Sequence, residues 1–435
     1  MPSSSGLFHS DFQPRPYWWQ AYEPEAGEPA ELPRQAAVAI IGAGYTGLAC
    51  ALELAKQGIK AVVLEAHAPG WGASTRNGGM VSGGASVGKR YSGKDASARL
   101  ASLRADAGES FKLTERLIEE ENIACEWTKA GGFVAAWCQA HFDALQAKAD
   151  DLNSGPEQQA YVVPRARQRE EIGSDYYYGG LVVRHAAHLH PARYFKGLLD
   201  ACQRRGVTIC AEAPVRRLAR NGVGWTVETA RGTFAAGEIV VASNGYTGDV
   251  TPDLMARVIP VGSYIIATEE LAEDIARTLM PNNRSVYDTR RVLTYYRMAG
   301  NGKQLIFGGR AKFGHFDPVE TAPILYRLMT DRFPQLDGVK ITHAWTGSLA
   351  FTFDETPHMG KRKGVHFALG CNGSGVAMMT YLGTQVARKL AGANAPCAFD
   401  SDEFPGHWAY SGNPWFVPWF GRYLRLRDWL DRTLR

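Results

Sequence analysis

Cysteine is sparse in this 435-residue chain. The seven present (Cys50, Cys125, Cys138, Cys202, Cys210, Cys371 and Cys397) are scattered, odd in number and include no Cys-x-x-Cys pair. That argues against a disulfide scaffold or a zinc cluster and fits a reducing compartment, so the expected location is cytoplasmic. Long runs of one charge are also missing. With 48 Lys plus Arg against 44 Asp plus Glu, a formal net charge of +4 is too dilute for a nucleic-acid footprint. No stretch reaches the roughly 18 apolar residues needed to cross a bilayer, and the first 34 residues lack the basic-then-apolar order of an export signal. No internal repeat is evident.

What is abundant is glycine, 47 residues in a chain that is 45% hydrophobic and 21% charged. There is ample material for a buried core, and the length suggests two or three domains. Ala36 to Ile41 reads as a short apolar strand, helical spacing follows to Gly58, and Lys60 to Glu65 gives a second strand, a βαβ unit. A Gly/Ser loop from Pro69 to Gly88 leads to a long helix, roughly Asp95 to Glu121. Gly132 to Trp137 and Leu181 to Arg184 read as strands, and Pro191 to Arg205 as a helix with proline at its start. Val207 to Ala242 reads as a second βαβ-like region. Between Val261 and Leu349, β-branched and aromatic strands (Ser263 to Thr268, Val292 to Met298, Leu305 to Gly309) predict an antiparallel sheet. A last apolar strand, Val365 to Leu369, runs into a second glycine turn and a helix to about Leu390. The fold class is α/β with an α+β part: two interleaved domains, each discontinuous in sequence.

Gly42-Ala43-Gly44-Tyr45-Thr46-Gly47 supplies G-x-G-x-x-G after a strand and at the opening of a helix. Gly42 allows the tight turn, Gly44 lets a pyrophosphate approach the backbone, and Gly47 lets helix and strand pack closely. Glu65 ends the next strand, where a carboxylate can accept both ribose hydroxyls of an adenosine. The pattern points to a dinucleotide and leaves NAD or FAD open. Trp71 to Met80, dense in glycine and poor in bulky side chains, suits a flat ring system; its other reading is a mobile surface loop.

Taken together, PYWW at Pro16 to Trp19, GAGYTG, LEA at Leu64 to Ala66, GWGASTRNGG at Gly70 to Gly79, HPARYF at His190 to Phe195, PVGSYIIATEEL at Pro260 to Leu271, LIFGGR at Leu305 to Arg310 and GCNGSG at Gly370 to Gly375 cover nearly the whole chain. In this combination the sequence resembles the FAD-dependent amine oxidoreductases of the D-amino acid oxidase and glycine/sarcosine oxidase group. The resemblance implies a Rossmann-like FAD-binding domain interleaved with an antiparallel-sheet substrate domain. The boundaries expected are 36–110, 176–255 and 345–396 for the first, 111–175 and 256–344 for the second, with a leader over 1–35 and a tail over 397–435. It implies oxidation of an amine C–N bond to an imine, with a small-molecule amine of the gamma-glutamyl polyamine kind or an amino acid as substrate, and oxygen or another electron acceptor. A D-amino acid dehydrogenase, a non-catalytic flavoprotein subunit and an NAD-linked dehydrogenase are the alternatives.

Carried over position by position, the resemblance gives Gly42, Ala43, Gly44, Tyr45, Thr46 and Gly47 to the pyrophosphate, Glu65 and Ala66 to the adenosine, and Val215 to the adenine side. Gly72, Ala73, Ser74, Asn77, Gly78, Gly79 and Met80 would run beside the flavin. Ser243, Asn244 and Gly245 form a turn returning to FAD, and Gly370, Asn372, Gly373, Ser374 and Gly375 the flavin-facing turn. A helix beginning near Ser374 would place oriented amides where negative charge gathers on reduced flavin.

Two departures from the family matter. Sarcosine-oxidase-like members show His in that last turn and a Lys soon after it, where this chain has Ser374 and Ala377, so a simple sarcosine-like substrate is disfavoured. Covalent members attach FAD through a Cys before an Asp-Pro region, where this chain has Leu349-Ala350-Phe351-Thr352, so dissociable FAD is expected. Tyr264, Tyr295, Arg297 and Trp345 are the expected substrate wall, with Arg297, or else Arg310, pairing with a substrate carboxylate. Alternation puts Tyr295 and Arg297 on one face of their strand and Tyr296 on the other. His185, His188 and His190 lack a Cys or carboxylate to complete a metal site, and no metal is expected. In the tail, Asn413 to Arg435, aromatic residues alternate with five arginines. The ordinary expectation is a terminal helix packed on the body with its arginines solvated, and a membrane-surface helix is the alternative.

Overall fold

The computed structural model describes residues 6–28, 30–83, 96–153, 159–314, 316–393, 396–401 and 403–433. Residues 84–88 of the expected glycine loop and the start of the long helix at 95 lie outside them. Two large sheets carry the described chain. The first runs Val215–Asn221, Gly224–Thr229, Gly232–Val241, Gln35–Ile41, Ala61–Leu64, Thr208–Cys210, with Val365–Leu369 and His358–Arg362 branching from Gly232–Val241. Its centre is parallel: Gly232–Val241 beside Gln35–Ile41, Gln35–Ile41 beside Ala61–Leu64, and Ala61–Leu64 beside Thr208–Cys210. Parallel strands need crossovers, and helix Tyr45–Lys56 supplies the first, burying Leu48, Leu52 and Leu54 against the sheet. Helix Gly375–Leu390 lies against it. A Cβ on Gly383 would run into the Thr46 carbonyl, so glycine there sets how closely the two helices approach.

Gly232–Val241 has two neighbours on one side. Its first half pairs antiparallel with Gly224–Thr229, and Val240 and Val241 pair parallel with His366 and Phe367. This fork brings the turn after Val241 beside the turn after Leu369, where the Gly370 N–H donates to Asn244 Oδ1 at 3.0 Å. The region Val215–Val241 is an antiparallel meander and not the expected βαβ: only two residues separate Asn221 from Gly224, too few for a crossover, and Gly222 takes φ +60° in the turn.

The second sheet has nine strands in the order Phe8–Gln13, Ile341–Phe351, Ile259–Thr268, Leu305–Gly309, Thr294–Met298, Ser285–Asp288, Gly132–Ala135, Gly180–Val183, Ala160–Val163. Its centre is antiparallel, as the composition of that stretch predicts. Three segments fall outside their expected units. Phe8–Gln13, in the expected leader, is an edge strand beside Ile341–Phe351. Gly180–Val183 pairs with Gly132–Ala135, and Ile341–Phe351 pairs along its length with Ile259–Thr268. Helix Pro318–Arg332 covers one face of this sheet and shares a core with Tyr264, Tyr296 and Phe307. From the other face Ser263, Ile265 and Tyr295 line one cavity together with Ile41, Leu64 and Val241 of the first sheet. Among the described residues no helix is long and apolar enough to cross a membrane.

Candidate functional site

The first glycine turn is built as its spacing requires. Gly42 sits at φ +106°, and a Cβ there would stand 3.0 Å from the Ala242 carbonyl. A Cβ on Gly47 would run into the Gly42 carbonyl. Gly44 precedes helix Tyr45–Lys56 and offers no side-chain cap; from the loop, Ser74 Oγ accepts the Tyr45 N–H at 3.0 Å. At the second turn, helix Gly375–Leu390 also begins without a side-chain cap. Both N-termini open on one cavity of about 720 Å³. Two helix dipoles therefore aim their positive ends, and free backbone amides, at the same space.

The cavity is walled as a dinucleotide site would be. Its lining includes Gly42 to Thr46, Glu65, Ala66 and Val215, and Gly72, Ala73, Ser74, Asn77, Gly78 and Met80 of the glycine-dense loop. Ser243, Asn244, Asn372, Gly373, Ser374 and Gly375 line it as well. Glu65 accepts the Ala43 N–H at 2.8 Å through Oε2 and the His67 N–H at 3.1 Å through Oε1, and each oxygen keeps a lone pair for a further donor. Four residues assigned to cofactor contact do not reach the cavity: Gly47, Gly79, Gly245 and Gly370. They shape the wall from behind. Gly79, at φ +68°, lies where a Cβ would strike the Leu189 carbonyl, and a Cβ on Gly245 would stand 2.9 Å from the Ser348 carbonyl.

The glycine-dense loop is clamped, which excludes the mobile-loop reading for its described part. Three consecutive carbonyls each accept a hydrogen bond from a distant side chain: Arg76 O from Trp345 Nε1 at 2.7 Å, Asn77 O from Trp18 Nε1 at 2.8 Å, and Gly78 O from Arg297 Nε at 2.8 Å. Two of these donors, Arg297 and Trp345, are therefore not on the substrate wall where the sequence predicts them, and neither lines the cavity. Arg297 is 2% exposed, donates also to the carbonyls of Leu189 (2.7 Å) and Met298 (3.0 Å), and stacks on Trp18. Burial lowers its pKa to about 10, so it remains charged near neutrality. Three of its five N–H groups go to backbone carbonyls and a fourth lies 3.4 Å from His188 Nδ1, and the side chain does not line the cavity, so it does not face a substrate. Truncation to Arg297→Met should cost about 2–5 kcal/mol in urea unfolding, because buried carbonyls lose their donors. Its effect on turnover should be the same for amines with and without a carboxylate.

Tyr264, also predicted on the substrate wall, does not line the cavity either. Its side chain points to the helix-covered face, where the hydroxyl donates to Gly314 O at 2.6 Å and accepts from the Phe316 N–H at 3.0 Å. Its neighbours Ser263 and Ile265 face the cavity instead, because adjacent strand residues alternate. Tyr295 does line the cavity, with its hydroxyl 3.0 Å from Ser263 Oγ, and Tyr296 is buried on the opposite face. Burial raises the Tyr295 pKa to about 12 against the Ser263 hydrogen bond and the Arg310 charge, so the phenol stays protonated.

Sequence reasoning ranked Arg310 second, and the structure puts it on the cavity wall beside Tyr295. It is half-buried, donates to Arg291 O at 3.2 Å, lies over the Phe351 ring, and has no carboxylate partner at ion-pair distance among the described residues. Burial lowers its pKa, and Tyr295, Glu355 and Asp428 oppose that shift. Arg76 and Tyr246 also line the cavity, and sequence reasoning missed them. Arg76 is sandwiched between Trp19 and Trp71, at 4.6 and 5.1 Å from the ring centroids, an arrangement made by two segments, the glycine-dense loop and Tyr17–Gln20. Of the histidines, His190 caps helix Pro191–Arg204 by accepting the Arg193 N–H, and His188 bonds to Asn283 O. Burial lowers both pKa values to about 3, and both stay neutral.

These features fit a bound dinucleotide on the molecule's own geometry: glycines where a Cβ would intrude, two helix N-termini without a side-chain bond from their own cap residues, and a carboxylate on the same cavity wall. The family model described as FAD dependent oxidoreductase (DAO) matches residues 37–389. The gamma-glutamylputrescine oxidoreductase of Escherichia coli is 33% identical over 396 residues, covering 89% of each chain. A probable oxidoreductase, OrdL, of Haemophilus influenzae is 32% identical, covering 82% of this chain and 83% of that one. Among solved structures, glycine oxidase from Geobacillus kaustophilus superposes with a TM-score of 0.71 at 19% identity, over 86% of this chain and 99% of that one.

Proposed function

The chain belongs to the DAO family of FAD-dependent oxidoreductases, and from that premise we propose that it oxidises the C–N bond of an amine carrying a carboxylate some distance from the reacting nitrogen. The product is an imine, which water hydrolyses to a carbonyl compound and an amine. We assign FAD binding to the eight-stranded sheet and its helices, and the substrate wall to the nine-stranded sheet. Gly42 to Thr46 would hold the pyrophosphate, Glu65 and Ala66 the adenosine, and the stretches 72–80 and 373–375 the ring system. Bound FAD supplies the two-electron acceptor that takes a hydride from the substrate carbon.

Everything else falls to the chain's own residues. The amides at Gly375 and Val376 stabilise negative charge at the cavity wall, while the Ser374 N–H is taken by the Cys371 carbonyl at 2.8 Å. Arg310 holds the substrate carboxylate, and the Tyr295 hydroxyl stands beside it as a neutral donor. No general base is assigned, since an amine can lose its proton to solvent before it binds. The observation that carries this reading is Arg310: a half-buried guanidinium facing the cavity, with no carboxylate at ion-pair distance among the described residues. A relative named for gamma-glutamylputrescine supports it, because that compound has an amine at one end and a carboxylate at the other.

Anaerobic mixing with a panel of gamma-glutamyl polyamines, plain diamines, D-amino acids and N-methyl amino acids tests the proposal. Bleaching of the yellow colour should be fastest with the first group, and readmission of air then reports whether oxygen accepts the electrons. Fastest bleaching by D-amino acids would transfer the assignment to a D-amino acid dehydrogenase. No bleaching by any amine would leave a flavoprotein subunit.

We further propose that FAD is held without a covalent bond. Cys371 is the one cysteine on the described cavity wall, and its thiol lies 3.7 Å from Ala350 O on the inner side. Acid precipitation should leave all the yellow colour in the supernatant, and Cys371→Ala should retain FAD. Colour in the pellet of the wild-type protein alone would identify Cys371 as a point of attachment.

A further inference from the structure

The tail helix Val417–Thr433 packs on the body, but with the opposite face to the one its composition suggests. Its buried residues are Val417, Gly421, Asp428 and Asp431. Asp428 accepts the backbone N–H of Arg291 at 3.0 Å and of Val292 at 2.9 Å, and both aspartates pair with the Arg291 guanidinium. A Cβ on Gly421 would run into the Phe313 ring. The acids and the glycine are turned inward with Val417 and part of Leu424, while Trp419, Phe420, Tyr423, Leu426 and Trp429 are turned outward.

Trp419 is 66% exposed, Tyr423 49%, Leu426 53% and Trp429 58%, and Trp415 just before the helix is 62% exposed. Trp419, Tyr423 and Leu426 follow i, i+4, i+7 spacing and form one stripe along the outer face. Arg422 and Arg427 flank it. The Arg422 guanidinium lies 4.9 Å from the Trp419 ring centroid, and Arg427 donates to the Tyr423 hydroxyl at 2.9 Å. Both acids of the helix are committed to Arg291, so the outer face is apolar, aromatic and positively charged.

We propose that this face docks on an anionic phospholipid surface. Trp and Tyr rings favour the headgroup boundary, where the apolar body is buried and the polar edge stays wet, and arginines beside them meet lipid phosphates. The helix is too short and too polar to span a bilayer, so it lies in the plane of the interface. A second copy of the chain is a poorer occupant: a two-fold contact through this stripe would set Arg422 and Arg427 against their own equivalents, with no outward acid on the helix to pair with them. Apolar insertion and basic attraction together give the two signals that stable but reversible membrane binding requires.

The test uses FAD-loaded full-length enzyme sedimented with vesicles of phosphatidylcholine alone, or of phosphatidylcholine and phosphatidylglycerol in equal parts. The enzyme should sediment only with the anionic vesicles, with a blue shift of tryptophan emission, and added salt should release it. Arg422→Gln/Arg427→Gln should weaken binding roughly thirtyfold, and Trp419→Ser/Trp429→Ser should remove the blue shift, both with amine oxidation in solution unchanged. The proposal is overturned if wild-type enzyme ignores both vesicles, if both double variants bind as wild type, or if sedimentation velocity shows a dimer that the same substitutions abolish.

Discussion

A Gly44→Val variant should purify folded and colourless. Gly44 has φ −90°, which any residue adopts, so valine brings no backbone strain. The nearest atom to its Cβ would be Ser74 Oγ at 2.9 Å, the end of a side chain free to rotate. The fold can therefore absorb the change. The site cannot, because the new methyl groups stand at the helix N-terminus where a pyrophosphate must meet the amides, and rotating Ser74 away removes the acceptor of the Tyr45 N–H. Hydrogen bonds to a charged group contribute about 1.5–3 kcal/mol each. Loss of two would weaken FAD binding by about a hundredfold or more. Circular dichroism and thermal unfolding of the apoprotein should match wild type while flavin titration shows the loss. Gly47→Val is the contrast: there a side chain collides with the Gly42 carbonyl, and stability itself should fall. Normal FAD affinity in Gly44→Val would refute the placement of the pyrophosphate.

The second large effect is expected at Arg310. If its guanidinium pairs with the substrate carboxylate, Arg310→Ala leaves that anion half-buried and unpartnered, at a cost of about 2–5 kcal/mol. For a gamma-glutamyl amine, kcat/KM should fall by about a hundredfold or more, mostly through KM. For a plain diamine lacking the carboxylate it should change little. Arg310→Lys should recover only part of the loss, because an ammonium cannot reproduce the two-pronged contact. Equal losses for both substrate types would show that Arg310 merely supports the wall. Arg297→Met is the matched control, since its donors serve Gly78, Leu189 and Met298 and its effect should not depend on the substrate.

How much of this was legible beforehand follows from the range of each interaction. The nucleotide turn was readable because its parts are neighbours in sequence: strand Gln35–Ile41, the glycines from Gly42 to Gly47 and helix Tyr45–Lys56 act on one another within one short segment. The turn at Gly370 to Gly375 was readable for the same reason. Alternation on Thr294–Met298 was also legible, and Tyr295 and Tyr296 do face opposite ways. Which side of the sheet meets the cavity was not. That depends on helix Pro318–Arg332 covering the face that carries Tyr264 and Tyr296, and no local pattern in Ile259–Thr268 announces it.

The sequence alone therefore determined two glycine turns, each followed by an apolar helix, and a carboxylate after the second strand. These are local consequences of missing side chains and of helix ends that must find an anion or stay exposed. Only the tertiary structure decided the roles of the large polar residues. Trp18, Arg297 and Trp345 come from three remote segments to hold successive carbonyls of one loop, and Arg310 is left facing the cavity. A side chain's task is set by which backbone groups and charges long-range packing brings within hydrogen-bond reach, and spacing along the chain does not carry that information.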